Sequence, residues 1–261
     1  MLLENKNAVV YGGGGAIGGA VARTFAREGA SVFLAGRTLA PLDAVAEEIS
    51  AAGGVAETAQ VDALDEQAVE AHADAVVAKA GGIDVSFNAI AIRDVQGIAL
   101  VEISQEDFTA PIVTGTTTHF LTARAAARRM IEQGSGVILT LSASAAASAS
   151  SPEPWLGMGG FGVACAAIEA FSRSLAGEVG PRGVRVVCLR PHGIPETWRG
   201  NQGEGGGKTR EVFQALMEEG TLLRRLPTLA EVANVAAFMA SDQANAMTAT
   251  VANLTCGAIV D

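Results

Sequence analysis

Residues 7 to 19 read Asn7-Ala-Val-Val-Tyr-Gly-Gly-Gly-Gly-Ala-Ile-Gly-Gly19, and their order decides the fold. Ala8 to Tyr11 form a short apolar strand. Four glycines, Gly12 to Gly15, follow it, and a helix opens near Ala16 and continues through Val21 and Phe25. Strand, glycine turn and helix N-terminus together make a phosphate site. Without Cβ atoms the backbone turns tightly and approaches an anion closely, while free N–H groups and the positive end of the helix dipole face it. Glycine spacing alone occurs in many loops, but between a strand and an amphipathic helix it points to a dinucleotide.

The same strand-then-helix rhythm continues outward from this stretch. Ser31 to Ala35 reads as a strand, Leu39 to Ala52 as a helix closed by Gly53 and Gly54, and Val55 to Val61 as a strand. Asp65 to Ala80 reads as a helix ended by Gly81, and Ile83 to Phe87 as the next strand. Such alternation predicts an α/β fold: a doubly wound parallel sheet with helices on both faces and the ligand at the carboxyl ends of the strands. At 261 residues one domain accommodates it.

The end of the second strand bears on the ligand. An NAD site places Asp or Glu there for the ribose 2′-hydroxyl, yet the strand ends in Gly36-Arg37-Thr38 with no acid between Glu28 and Asp43. A guanidinium pairs with a 2′-phosphate, so Arg37 favours NADP(H) over NAD(H).

Composition narrows the remaining classes. Hydrophobic residues make up 49% and charged residues 18%, as in an ordered globular chain. A net charge of −10 argues against nucleic acid or an anionic membrane as partner. MLLENKN lacks the basic and apolar regions of a signal peptide, and no apolar run approaches the eighteen or so residues of a membrane span, so a cytoplasmic location is expected. Cys165, Cys188 and Cys256, like His72, His119 and His192, are too scattered for a metal site.

Several segments resemble the short-chain dehydrogenase/reductase family. Tyr11 to Gly18 is similar to its Thr-Gly-x-x-x-Gly-Ile-Gly loop, with Ala16 at the middle glycine. Val61-Asp62 matches the adenine-contacting segment, Phe87 to Ala91 its fourth-strand Asn-Asn-Ala-Gly motif, Gly183 to Pro191 its sixth strand, and Ala249 to Gly257 its last. The resemblance implies a single seven-stranded Rossmann domain over 1–261, with a substrate lid about 196–226. It places the cofactor on Gly12, Gly14, Gly15, Ala16, Ile17, Gly18, Arg37, Asp62, Ala63, Asn88, Ala89, Ile90, Pro191 and Ile194. It also implies a dimer or tetramer, built through helices that include Leu121 to Met130, and through the last strand.

The family's chemistry uses Tyr, Lys, Ser and Asn beside the carbonyl oxygen, where a proton donor must meet the developing alkoxide. Counting back from Ala166 to Leu175, which is similar to the segment after the family Lys, places Cys165 at the lysine and Phe161 at the tyrosine. Neither replacement supplies the lost proton or cation. The chain's single tyrosine, Tyr11, lies in the first strand. The serine aligns with Ala143, flanked by Ser142 and Ser144, and the asparagine with Gly115, in a helix from Ser104 that Pro111 and Thr114 to Thr118 weaken. His119, one turn after Gly115, and His192, after Pro191, are substitute general acids because imidazole titrates near neutrality. Cys165 as a nucleophile lacks an evident base.

Gly200 to Gly207 is glycine-rich, as a lid would be, and Glu211 to Glu219 reads as a helix after it. Trp155, Met158, Trp198 and Phe213 are apolar pocket candidates, so a hydrophobic small molecule is the expected substrate. Met158 stands where the family's enoyl reductase branch has its tyrosine. The leading expectation is an NADP(H)-dependent oxidoreductase that reduces a carbonyl or an activated C=C with an altered site. A redox-silent NADP(H) sensor or inactive subunit, and a lyase or isomerase, are the alternatives.

Overall fold

The computed structural model describes residues 1–148, 157–198 and 210–260. Seven parallel strands lie in the order β3-β2-β1-β4-β5-β6-β7. They are β1 (Asn7–Tyr11), β2 (Ser31–Gly36), β3 (Val55–Gln60), β4 (Val85–Asn88), β5 (Gly136–Leu141), β6 (Val184–Pro191) and β7 (Thr250–Leu254). Among them run α1 (Ala16–Arg27), α2 (Leu39–Ala51), α3 (Glu66–Ala80), α4 (Gln105–Gln133), α5 (Phe161–Val179), α6 (Arg210–Glu219) and α7 (Leu229–Ala240). The strand order reverses between β1 and β4, which opens a crevice at their carboxyl ends.

Alternation along the strands builds two cores. Ala8, Val10, Leu34, Phe87 and Leu139 face α1, α2 and α7, while Val9, Phe33, Ile138 and Val186 face α3, α4 and α5. A sheet covered on both sides explains why the inner strands are buried at nearly every position.

Boundaries follow local chemistry. Asp65 caps α3 by accepting from the Gln67 and Ala68 amides, and Gly81 closes it with φ 85°. The strand expected from Ile83 begins at Val85, because the Asp84 carboxylate accepts from the Asn7 amide and turns the chain into the sheet. The weak point expected around Pro111 does not break α4, which runs 29 residues. Ser104 caps it, and Thr116 and Thr122 donate their hydroxyls to the Ile112 and Thr118 carbonyls one turn back. An unforeseen helix, α7, starts at a capping box formed by Thr228 and Glu231.

The start of α5 is fixed by contact with α4. A Cβ on Gly160 would lie 1.9 Å from the Phe108 carbonyl oxygen and 2.9 Å from Pro111 Cγ. Gly160→Ala is therefore expected to destabilise the protein by about 3 kcal/mol, read as a lowered urea midpoint, because neither backbone can yield without displacing a helix.

Candidate functional site

The glycine turn is held between two strands. The Gly12 amide donates to the Ala35 carbonyl at 2.8 Å, and Gly12 adopts φ 77°. Side chains have no room here: a Cβ on Gly12 would meet the Ala89 carbonyl oxygen at 2.7 Å, and one on Gly18 would meet the Gly12 carbonyl oxygen at 2.3 Å. Helix α1 then begins at Ala16, capped by Gly15 with no side-chain bond and no acid in its first turn. Among the described residues its first-turn amides, on Ala16, Ile17 and Gly18, meet no side-chain acceptor and no acid lies in its first turn, which suits an anion.

Around that turn the other cofactor candidates converge. Arg37 is exposed just past β2, its carbonyl accepting from the Gln60 side chain at 2.9 Å. Its guanidinium has no ion-pair partner among the described residues. Asp62 is exposed and accepts from the Leu64 amide, with Ala63 buried beside it. Asn88 is buried; it donates to Thr122 Oγ1 at 2.9 Å and accepts from the Ile90 amide at 3.0 Å, which fixes Ala89 and Ile90 against the glycines. Pro191 ends β6, and Ile194 is buried just beyond it.

The candidate proton donors divide sharply. Ser144 opens a 3-10 turn after β5, His192 follows β6, and Ser144 Oγ lies 2.7 Å from His192 Nδ1. Burial lowers the His192 pKa below the usual imidazole value. Ser142, by contrast, turns inward and donates to Glu169 Oε1 at 2.8 Å. His119 is also fully internal: Nδ1 donates to the Gly115 carbonyl at 2.9 Å, and Nε2 accepts from the Leu141 amide. With both ring nitrogens engaged inside the fold, the expected use of His119 as a proton donor does not match this geometry.

Helix α5 begins at Phe161, and Cys165 sits one turn on, 1% exposed, its thiol pushed up to about 12 by burial. That is an unreactive thiol at neutral pH. Across from it, a Cβ on Gly115 would approach Ile92 Cδ1 to 2.7 Å, so Ile92 fills the space beside Gly115. Nearby Asp94, held by Gln96 at 2.6 Å, has its carboxyl raised by burial.

In the segment expected to form a lid, Trp198 and Phe213 stack edge to face with centroids 5.6 Å apart, and Arg210 lies over Trp198 while donating to the Pro195 carbonyl. Met217 covers Gly193, next to His192. Trp155 and the glycine-rich segment from Gly200 to Gly207 lie outside the described residues. Sequence reasoning passed over Ile92, Asp94, Glu169, Arg190 and Met217. Glu169 alone had a readable signal, as an acid one turn after Cys165 within the otherwise apolar stretch from Phe161 to Phe171.

A family model described as enoyl-(acyl carrier protein) reductase matches residues 14–258. The chain belongs to the short-chain dehydrogenase/reductase family. Tropinone reductase-like 2 of Erythroxylum coca is 31% identical over 246 residues, covering 93% of this chain and 86% of that protein. The 3-oxoacyl-[acyl-carrier-protein] reductase FabG of Chlamydia muridarum is 31% identical, covering 98% of each. Among solved structures, an NAD+-bound xylitol dehydrogenase superposes with a TM-score of 0.86 at 25% identity, covering 97% of this chain and 98% of that one. The oxidoreductase family thus spans nearly the whole chain. No helix among the described residues is long and apolar enough to cross a membrane.

In this short-chain dehydrogenase/reductase, His119 makes stability depend on pH. Complete burial lowers its pKa to about 4, against about 6.5 when unfolded. Above pH 6.5 the ring is neutral in both states. As pH falls from 6.5 towards 4, the unfolded state takes up the proton first and stability drops, by about 2 kcal/mol between pH 7 and pH 5. Urea titrations at the two pH values check this, and His119→Gln should remove that part of the difference.

Proposed function

We propose that the chain is an NADP(H)-dependent reductase of a carbonyl or activated C=C in an apolar small molecule, with Ser144 and His192 at the reacting oxygen. The observation that carries this reading is the 2.7 Å contact between Ser144 and His192 at the ends of β5 and β6. In this reading Phe161 and Cys165 occupy the family's Tyr and Lys positions, so the proton comes from elsewhere.

The glycine turn and the first turn of α1 fit a pyrophosphate: Gly12 and Gly18 leave no room for side chains, and the α1 amides meet no side-chain acceptor. Asp62, Ala63, Asn88, Ala89 and Ile90 would line the adenine and ribose path, and Arg37 would hold the 2′-phosphate. Pro191 and Ile194 would border the nicotinamide. When bound, the reduced nicotinamide supplies hydride. Ser144 orients the substrate oxygen, protonated His192 releases its proton to the charge forming there, and Trp198, Phe213 and Met217 exclude water.

A second reading, a redox-silent NADP(H)-binding subunit, is favoured by the neutral Cys165 thiol and by Ile92 beside Gly115. Phe120, half-exposed on α4 and stacked on Phe171 of α5, supports association into a dimer or tetramer in either case. Equilibrium binding of NADPH and NADH, followed by ketone and enone panels, separates the readings. Tight NADPH binding with turnover supports the reductase, binding without turnover supports the silent subunit, and no binding of either nucleotide overturns both.

A further inference from the structure

Beneath the Ser144–His192 pair lies a buried polar cluster that the proposed chemistry does not use. Glu169 of α5 and Arg190 of β6 are 4% and 6% exposed. Arg190 Nε donates to Glu169 Oε1 at 2.7 Å and Nη2 to Oε2 at 2.8 Å, and Ser142 Oγ donates to the same Oε1 at 2.8 Å. Ser142 precedes Ser144 by two residues, and Arg190 precedes His192 by two. The Ser142 amide also donates to the Leu189 carbonyl at 2.9 Å, so the two chain ends are still paired beyond β5.

We infer that Glu169 is a positioning residue: one buried carboxylate ties together the two strand ends that carry Ser144 and His192, and so sets their separation. A bidentate guanidinium contact fixes distance and plane together, which a single hydrogen bond does not. Burial of the ion pair is not by itself an argument for stability, since well-packed apolar replacements often equal such pairs. Its geometry is the informative part, because a shift of the Glu169 carboxylate moves β5 and β6 relative to one another at the level of the pair. The functional consequence rests on the reading of Ser144 and His192 given above, whereas the positioning is tested without it.

The test is the Glu169→Met/Arg190→Met double variant of the full chain, compared with wild type by two-bond 1H–15N spectra of the histidine rings. The chain has three histidines, and a His192→Gln spectrum assigns the one in question. Wild-type His192 is expected to show well-separated ring nitrogens, as a single tautomer held by Ser144 does. In the double variant they should move towards the averaged positions of a free imidazole, with His72 unchanged. A folded double variant whose His192 signals match wild type overturns the inference. If the double variant does not fold, Ser142→Ala cuts the β5 tie alone; the same direction of shift then supports positioning, and an unchanged spectrum overturns it. Kinetics keep the two ideas apart: Ser144→Ala with unimpaired reduction defeats the catalytic reading, and the His192 spectrum still decides the role of Glu169.

Discussion

His192→Phe should lower the rate of ketone or enone reduction by about 10² to 10⁴, the range lost when a positioned general acid is removed. NADPH affinity should stay within a factor of about three, because in the proposed reading His192 acts on the substrate oxygen and makes no charged contact with the nucleotide phosphates. The pH profile gives the sharper test. Burial lowers the His192 pKa, so at neutral pH the imidazolium is the minor form. If that form delivers the proton, reduction accelerates as pH falls towards the His192 pKa, by up to about tenfold per unit, while the reverse oxidation, which needs neutral imidazole as base, stays level over that range and falls only below the pKa. Ser144→Ala should cost less, and the double variant should be no slower than His192→Phe alone if the two act as a unit. A pH-independent rate, or a His192→Phe protein as fast as wild type, defeats this assignment.

The fold and the glycine turn were legible because their signals are local. Asn7 to Gly19 carries strand, turn and helix within thirteen residues, and the alternation that follows admits few topologies. Helix α7 was missed although Thr228-Leu-Ala-Glu231 spells its capping box, since no glycine or proline marks its end at Ala240. The region proposed to be catalytic was less legible because it depends on facing directions across elements. Ser142 and Ser144 look equivalent in an Ala/Ser tract, yet at the end of β5 one is drawn in by Glu169 and the other meets His192. His119 was placed on the correct helix face, one turn from Gly115, but the end of β5 packs over it and takes its second nitrogen. No spacing rule announces such an amide 22 residues away. Ile92 is similar: the space it fills exists only because residue 115 is glycine, and the loop that brings it there has no periodic pattern.

Arg37 carries the largest predicted effect on cofactor choice. Its guanidinium is exposed past β2 and unpaired among the described residues, with its backbone pinned by Gln60. A 2′-phosphate there would gain charge-assisted hydrogen bonds, each worth about 1.5 to 3 kcal/mol. Arg37→Ala should therefore weaken NADPH about tenfold to a hundredfold while altering NADH by less than about threefold. Arg37→Asp goes further, because a carboxylate repels the phosphate and accepts from the free 2′-hydroxyl, so preference should invert towards NADH. Salt separates this from a general loss of fit. Wild-type NADPH binding should weaken with ionic strength more steeply than NADH binding, since the extra phosphate contact is exposed and screened, and that difference should vanish in Arg37→Ala. Equal affinity of the wild type for both nucleotides would place the guanidinium outside the site.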